Sequence, residues 1–102
     1  MFLSRDWKAR IIRTDLGFEI RVSGCARTGM HTILPEINKI YPPDFDKRIL
    51  HLGLSHVVDN PHGILHDVIY QEPVASIGEY RSVRVFIGSE LLVEMDIIDL
   101  EE

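Results

Sequence analysis

Sulfur chemistry is nearly absent from this chain. Cys25 is its single cysteine, so no internal disulfide can form, and a reducing compartment is the simplest expectation. No stretch approaches the roughly 18 apolar residues that a membrane helix needs. The start, Met1-Phe2-Leu3-Ser4-Arg5-Asp6, meets charge before an apolar signal core can form. A cytoplasmic location is expected. Phosphate-cradling loops are missing too: no Gly-Lys-Ser/Thr motif occurs, and Gly24, Gly29, Gly53 and Gly63 do not cluster into one. There is no low-complexity tract and no linker that would separate two domains, so residues 1–102 read as one domain. A chain of this length buries roughly 60–68% of its extended surface, enough for one core.

Cations are scarce in the second half. Residues 1–51 carry nine Lys/Arg and six Asp/Glu, a net of +3, whereas residues 52–102 carry Arg81 and Arg84 against ten acids, a net of −8. Partner choice follows local potential more than total charge. The acidic half disfavours phosphate backbones and suits a basic protein partner.

What is present is led by the C-terminal end. Val83, Val85 and Ile87 alternate with Ser82, Arg84 and Phe86, and Leu91, Val93, Met95 and Ile97 alternate with Leu92, Glu94, Asp96 and Ile98. Period-two alternation predicts two strands with one face in a core, joined as a hairpin around Gly88-Ser89-Glu90. A two-residue turn would bring Glu94, Leu92 and Glu90 opposite the buried valines. A three-residue loop pairs Ile87 with Leu91, Val85 with Val93 and Val83 with Met95, and sets Arg84 across from Glu94. The expectation is therefore the three-residue loop. Tyr80, Phe86, Leu92 and Ile98 would then form an apolar patch on the outer face, rimmed by charge.

A second hairpin is expected from Trp7–Thr14 and Phe18–Gly24 around Asp15-Leu16-Gly17, with Ile12 opposite Ile20, Arg10 opposite Val22 and Arg13 opposite Glu19. Between the hairpins, Met30, Ile33, Leu34, Ile37, Ile40 and Tyr41 fall at helical spacing, stopped by Pro42-Pro43. Asp44 suits the N-cap of a second helix carrying Phe45, Ile49, Leu52 and His56 on one stripe. Leu50, Leu52 and Leu54 also alternate, so a strand competes there. Residues 64–71 fit either a helix or a strand. The predicted fold is α+β: two antiparallel β-hairpins, N- and C-terminal, forming a sheet with two or three short helices packed on one face.

Three groups of residues bear on function. His51, His56, His62 and His66 fall within sixteen residues, and His62 and His66 at a spacing of four would share a metal on a helix. Without a third ligand at a recognised spacing, no metal site and no cofactor is assigned. Cys25 with His31 lacks any local oxyanion donor, so no catalytic residue is assigned either. Arg5, Lys8, Arg10, Arg13, Arg21 and Arg27, with Trp7 and Phe18 among them, could serve a nucleic acid, against the acidic net charge. The leading expectation is a non-enzymatic protein-binding module that uses Phe86, Glu90, Leu92, Glu94, Asp96 and Asp99 against a basic partner. By size and charge alone this resembles the immunity-type inhibitors of toxins and nucleases. A small metal protein or enzyme using residues 51–66, nucleic-acid binding through the N-terminal hairpin, and a homodimer are the alternatives.

Overall fold

The structure is a computed structural model describing residues 3–43 and 46–101, with side chains as far as Ile98. It consists of strands: β1 (Ser4–Thr14), β2 (Gly17–Thr28), β3 (Glu36–Lys39), β4 (Ile49–Ser55), β5 (Ile64–Val74), β6 (Ser82–Ile87) and β7 (Glu90–Glu101). They form one mixed sheet in the order β3-β4-β6-β7-β1-β2-β5. The sheet curls into a nearly closed barrel, because β3 and β5, its two ends, come together. The α+β expectation is thus wrong: no described residue is helical.

Both expected hairpins exist and share this sheet, joined where β7 runs parallel to β1. The helices predicted between them are strands and loops. Residues 29–35 are irregular and β3 follows, because Gly29, Pro35 and Pro42-Pro43 leave too short a stretch for a stable helix. The second predicted helix is β4. Leu50, Leu52 and Leu54 point into the barrel, while Ile49 and His51 are buried on the other face. A strand covered on both sides loses its clean alternation, which is why its leucines mimicked a helix. Asp44 and Phe45 of that prediction lie outside the described residues. Residues 64–71 belong to a strand, β5.

The core is the barrel interior: Ala9, Ile11, Ile20, Val22, Leu50, Leu52, Val83 and Val85 have no exposed surface. The N-terminal hairpin turns in two residues, with Thr14 paired to Gly17, Ile11 to Ile20 and Ala9 to Val22. The predicted register is off by one, which reverses β1. The expected pairing put Arg10 inside; the observed one buries Ala9 and Ile11 and sends Arg10 outward, so burial decides the parity. Gly17, at φ 131°, occupies backbone space that a side chain would strain. Further along β1 a bulge lies between Arg5 and Lys8. It lets Trp7 pack against the core beside Gly24, with its indole Nε1–H donating to Ser4 Oγ at 2.8 Å.

Closure is completed by a polar cluster. Lys39 on β3 and Glu72 on β5 face the interior at the seam, and Lys39 Nζ lies 3.2 Å from Glu72 Oε2. Lower down, Thr28 Oγ1 donates to the Met30 carbonyl at 2.8 Å and lies 2.9 Å from His66 Nε2. That pair ties the loop after β2 to β5.

Candidate functional site

The outer face of the C-terminal hairpin is set by its turn. Gly88-Ser89 is a two-residue turn with Gly88 at φ 61°, so Ile87 pairs with Glu90 and Phe86 with Leu91. A register shift follows between Val85 and Phe86, after which Val85 meets Val93, Val83 meets Met95 and Arg84 meets Glu94. Leu92 is the additional residue. The bulge reconciles a tight turn with matched aliphatic rows, which the sequence had offered as alternatives. Arg84 Nε donates to Glu94 Oε2 at 2.6 Å on the exposed face.

The bulge also redistributes the expected patch. Leu92 turns toward the core, and Leu91 is left 48% exposed. Tyr80 belongs to the core. Phe86 is half-buried, stacked on the His51 ring at 5.8 Å and 20°. Ile98 is 51% exposed. The four residues thus do not form one apolar surface. What β7 presents instead is an exposed row of Glu94, Asp96 and Ile98, with Glu90 and Leu91 at its turn end. The side chain of Asp99 lies outside the described residues.

Beneath the turn end is a cavity of about 300 Å³ lined by Leu3, Asp59, Ile87, Glu90, Leu91 and Leu92. Its walls are tied to β2: Arg27 N–H donates to the Leu3 carbonyl at 2.9 Å, and the Val58 N–H donates to the Arg27 carbonyl at 2.9 Å. Asp59, the next residue, is thereby held at the wall.

The interior cluster is the most strongly perturbed group of titratable residues. Tyr70 Oη donates to Glu72 Oε1 at 2.6 Å, Tyr80 Oη donates to Glu72 Oε2 at 2.6 Å, and Lys39 Nζ donates to Tyr80 Oη at 2.9 Å. Burial pushes the Glu72 carboxyl up, but hydrogen bonds from Tyr70, Tyr80 and Lys39 outweigh it and hold the group below its usual range. The bond to Tyr80, and then Glu72, raise Lys39 against the opposing effect of burial. Burial and the Glu72 carboxylate raise both tyrosines. A carboxylate that already accepts three hydrogen bonds is a weak base, and a lysine bonded in this way is a weak acid. The arrangement fixes charge and closes the seam.

The other sequence candidates separate. Cys25 lies on β2 with its thiol 3.5 Å from Asp67 Oδ1. Burial and that carboxylate push the thiol up, the opposite of what a nucleophile needs. His31 is in the exposed loop after β2. His62 sits in a turn and His66 on β5, so the helical spacing that would have made them joint ligands does not exist. Among the described residues, no three His, Cys, Asp or Glu side chains converge to hold a metal ion. On the outer face of the N-terminal hairpin, Arg10 is paired with Arg21, not with Val22 as expected. Arg13 lies over the Phe18 ring at 5.9 Å, and Glu19 bonds Arg21 at 3.0 Å, so the expected Arg13–Glu19 pairing is absent.

The polar cluster and the cavity were missed from sequence. One signal was available for the first: Val68, Tyr70, Glu72 and Val74 alternate, placing an acid in an apolar row where it needs a partner. The cavity had none, since it depends on the bulge. No helix among the described residues is long and apolar enough to cross a membrane. Comparison of the chain with protein-family models, with curated proteins and with solved structures found no match.

Proposed function

We propose that this protein is a non-enzymatic binding module that docks a basic protein partner on the outer face of β7, in the cytoplasm. One observation carries the reading. Leu91 and Ile98 are about half exposed on the same strand as the exposed carboxylates Glu90, Glu94 and Asp96. Apolar groups flanked by charge, here mostly acidic with Arg84 bonded to Glu94, are the ordinary makings of a protein contact. The carboxylates would steer encounter and the aliphatic groups would supply contact area. An acidic inhibitor that neutralises a basic toxin or nuclease fits by size and charge.

The test is capture from the native host on the immobilised wild-type chain and on the double variant Glu94→Lys/Asp96→Lys. A basic partner should be retained by the wild type. Its association rate should fall at least about tenfold on charge reversal, and fall again with added salt. Retention of no basic protein, or retention insensitive to both substitutions, rejects the proposal.

A second reading rests on the Arg10–Arg21 pair. Lys8 stands one step further along the same face, opposite Ser23, and Glu19 already bonds Arg21 at 3.0 Å, so the face is basic but partly compensated. Binding of single-stranded or duplex nucleic acid that weakens steeply with salt, and is lost on replacing Arg10 and Arg21, would establish it.

A further inference from the structure

We infer that the open edge of β5 is where a second copy of this chain docks, its own β5 pairing antiparallel about a two-fold axis at Ile69. β3 and β5 are the two ends of the sheet, with no backbone ladder between them. The bond that joins them runs between side chains, Lys39 Nζ to Glu72 Oε2. β3 has four residues against eleven in β5, so most of the β5 edge has no strand beside it. Register shows which groups that edge presents. The N-terminal hairpin closes on Thr14–Gly17, the hydrogen-bonded pair of a two-residue turn, so Gly17, Glu19 and Arg21 bond β1. The alternate residues Phe18, Ile20 and Val22 therefore bond Val74, Glu72 and Tyr70 of β5. Asp67, Ile69 and Gln71 are left with N–H and C=O directed at the open edge. Pro73 falls in the same set, where its missing N–H costs the ladder nothing. A row of backbone groups of this kind is a template for another strand.

The side chains say which strand. Opposed residues of an antiparallel pair are of one class, bonded or not, so a symmetric pairing must centre on a residue. Centred on Asp67 it sets carboxylate against carboxylate, and centred on Val68 it sets Asp67 against an isoleucine. Centred on Ile69 it puts that side chain, 56% exposed, against its own copy, and Asp67 against the copy's Gln71. On the other face His66 then stands across from the copy's Glu72, so the charges are complementary. Antiparallel pairing also brings the start of one β5 to the end of the other. Exposed aliphatic groups stand at both: Met30, Ile33 and Leu34 follow Thr28, which pairs with Ile64, and Ile77 follows Val74. β7 is separated from β5 by β1 and β2, so self-association leaves the docking face proposed above free.

Sedimentation equilibrium of the whole chain over a wide concentration range should show a monomer–dimer equilibrium. Gln71→Lys, whose new charge meets the copy's Asp67 twice by symmetry, should tighten the dimer about tenfold, and Gln71→Glu should weaken it by about as much. Gln71 is exposed, so neither change disturbs the fold. Ile69→Pro removes an edge N–H without touching the ladder to β2 and should leave a monomer. In the wild type the amides of Asp67, Ile69 and Gln71 should exchange more slowly with deuterium as the concentration rises. A chain that stays monomeric throughout, or a dimer indifferent to the charge at residue 71, overturns the inference. So does a dimer that is lost in Glu94→Lys/Asp96→Lys, which would place the contact on β7.

Discussion

Gly24→Ala should be among the most damaging single-methyl additions in this barrel, and the reason is a single ring. A Cβ built at Gly24 would lie 2.5 Å from Trp7 Cδ2, 2.6 Å from Cε3 and 3.0 Å from Cε2. An indole cannot yield at one edge as a flexible chain end can, so the whole ring or the strand beneath it must move. Overpacking of this kind costs about 1–3 kcal/mol, and a clash under 3.0 Å with a planar ring belongs at the upper end. The backbone contributes nothing to the penalty, since Gly24 has no positive φ. There, alanine would otherwise stabilise by about 0.4–1 kcal/mol through the unfolded state. At roughly 2 kcal/mol the melting temperature should drop by about 8–16 °C, given about 4–8 °C per kcal/mol for a domain of this size. Urea unfolding followed by circular dichroism measures the stability. Trp7 is the chain's single tryptophan, so its emission should shift to the red as the ring leaves Gly24. The decisive comparison is Gly24→Ala in a Trp7→Leu background, where the same methyl should be neutral or stabilising. A coupling of at least about 1.5 kcal/mol is expected. Equal destabilisation in both backgrounds would refute the argument, and so would an unaffected Trp7 emission in the single variant.

Two further outcomes concern charge. Glu72→Gln should destabilise by about 2–3 kcal/mol at neutral pH, less than a wholly buried pair because Lys39 is 30% and Glu72 16% exposed. Because the folded carboxyl is held below its usual value of 4.5, wild-type stability should be fully present above that value and be lost as pH falls through the lower folded one. The Gln variant should lack that part of the profile in urea titrations across pH 2–7. Within the same cluster, Tyr80→Phe should cost more than Tyr70→Phe, since the Tyr80 hydroxyl both donates to Glu72 and accepts from Lys39. By contrast, a double-mutant cycle on Arg84 and Glu94 should give less than about 1 kcal/mol despite the 2.6 Å contact, since both side chains are substantially exposed. A larger coupling would show that this hairpin is shielded from solvent in a way the exposures deny.

How far the sequence could be read depended on whether a strand had one covered face or two. β6 and β7 alternate cleanly because their outer face is largely solvent, and Val83–Met95, Val85–Val93 and Arg84–Glu94 were legible as pairs. β4 is covered inside by the core and outside by neighbours such as Ile40, whose methyl would lie 3.0 Å from a Cβ at Gly53. Its run of Ile49, Leu50, His51 and Leu52 therefore shows no period, and leucine-rich composition suggested a helix. The turns failed for a different reason. Hydrophobic matching and turn length look exclusive in the sequence, yet the chain satisfies both by inserting Leu92 as a bulge, and in the N-terminal hairpin by burying Ala9 in place of Arg10. That Arg10 error concealed the Arg10–Arg21 neighbours. The Leu92 error concealed the cavity, because without the bulge Leu91 and Leu92 would stand on opposite faces and could not both line it.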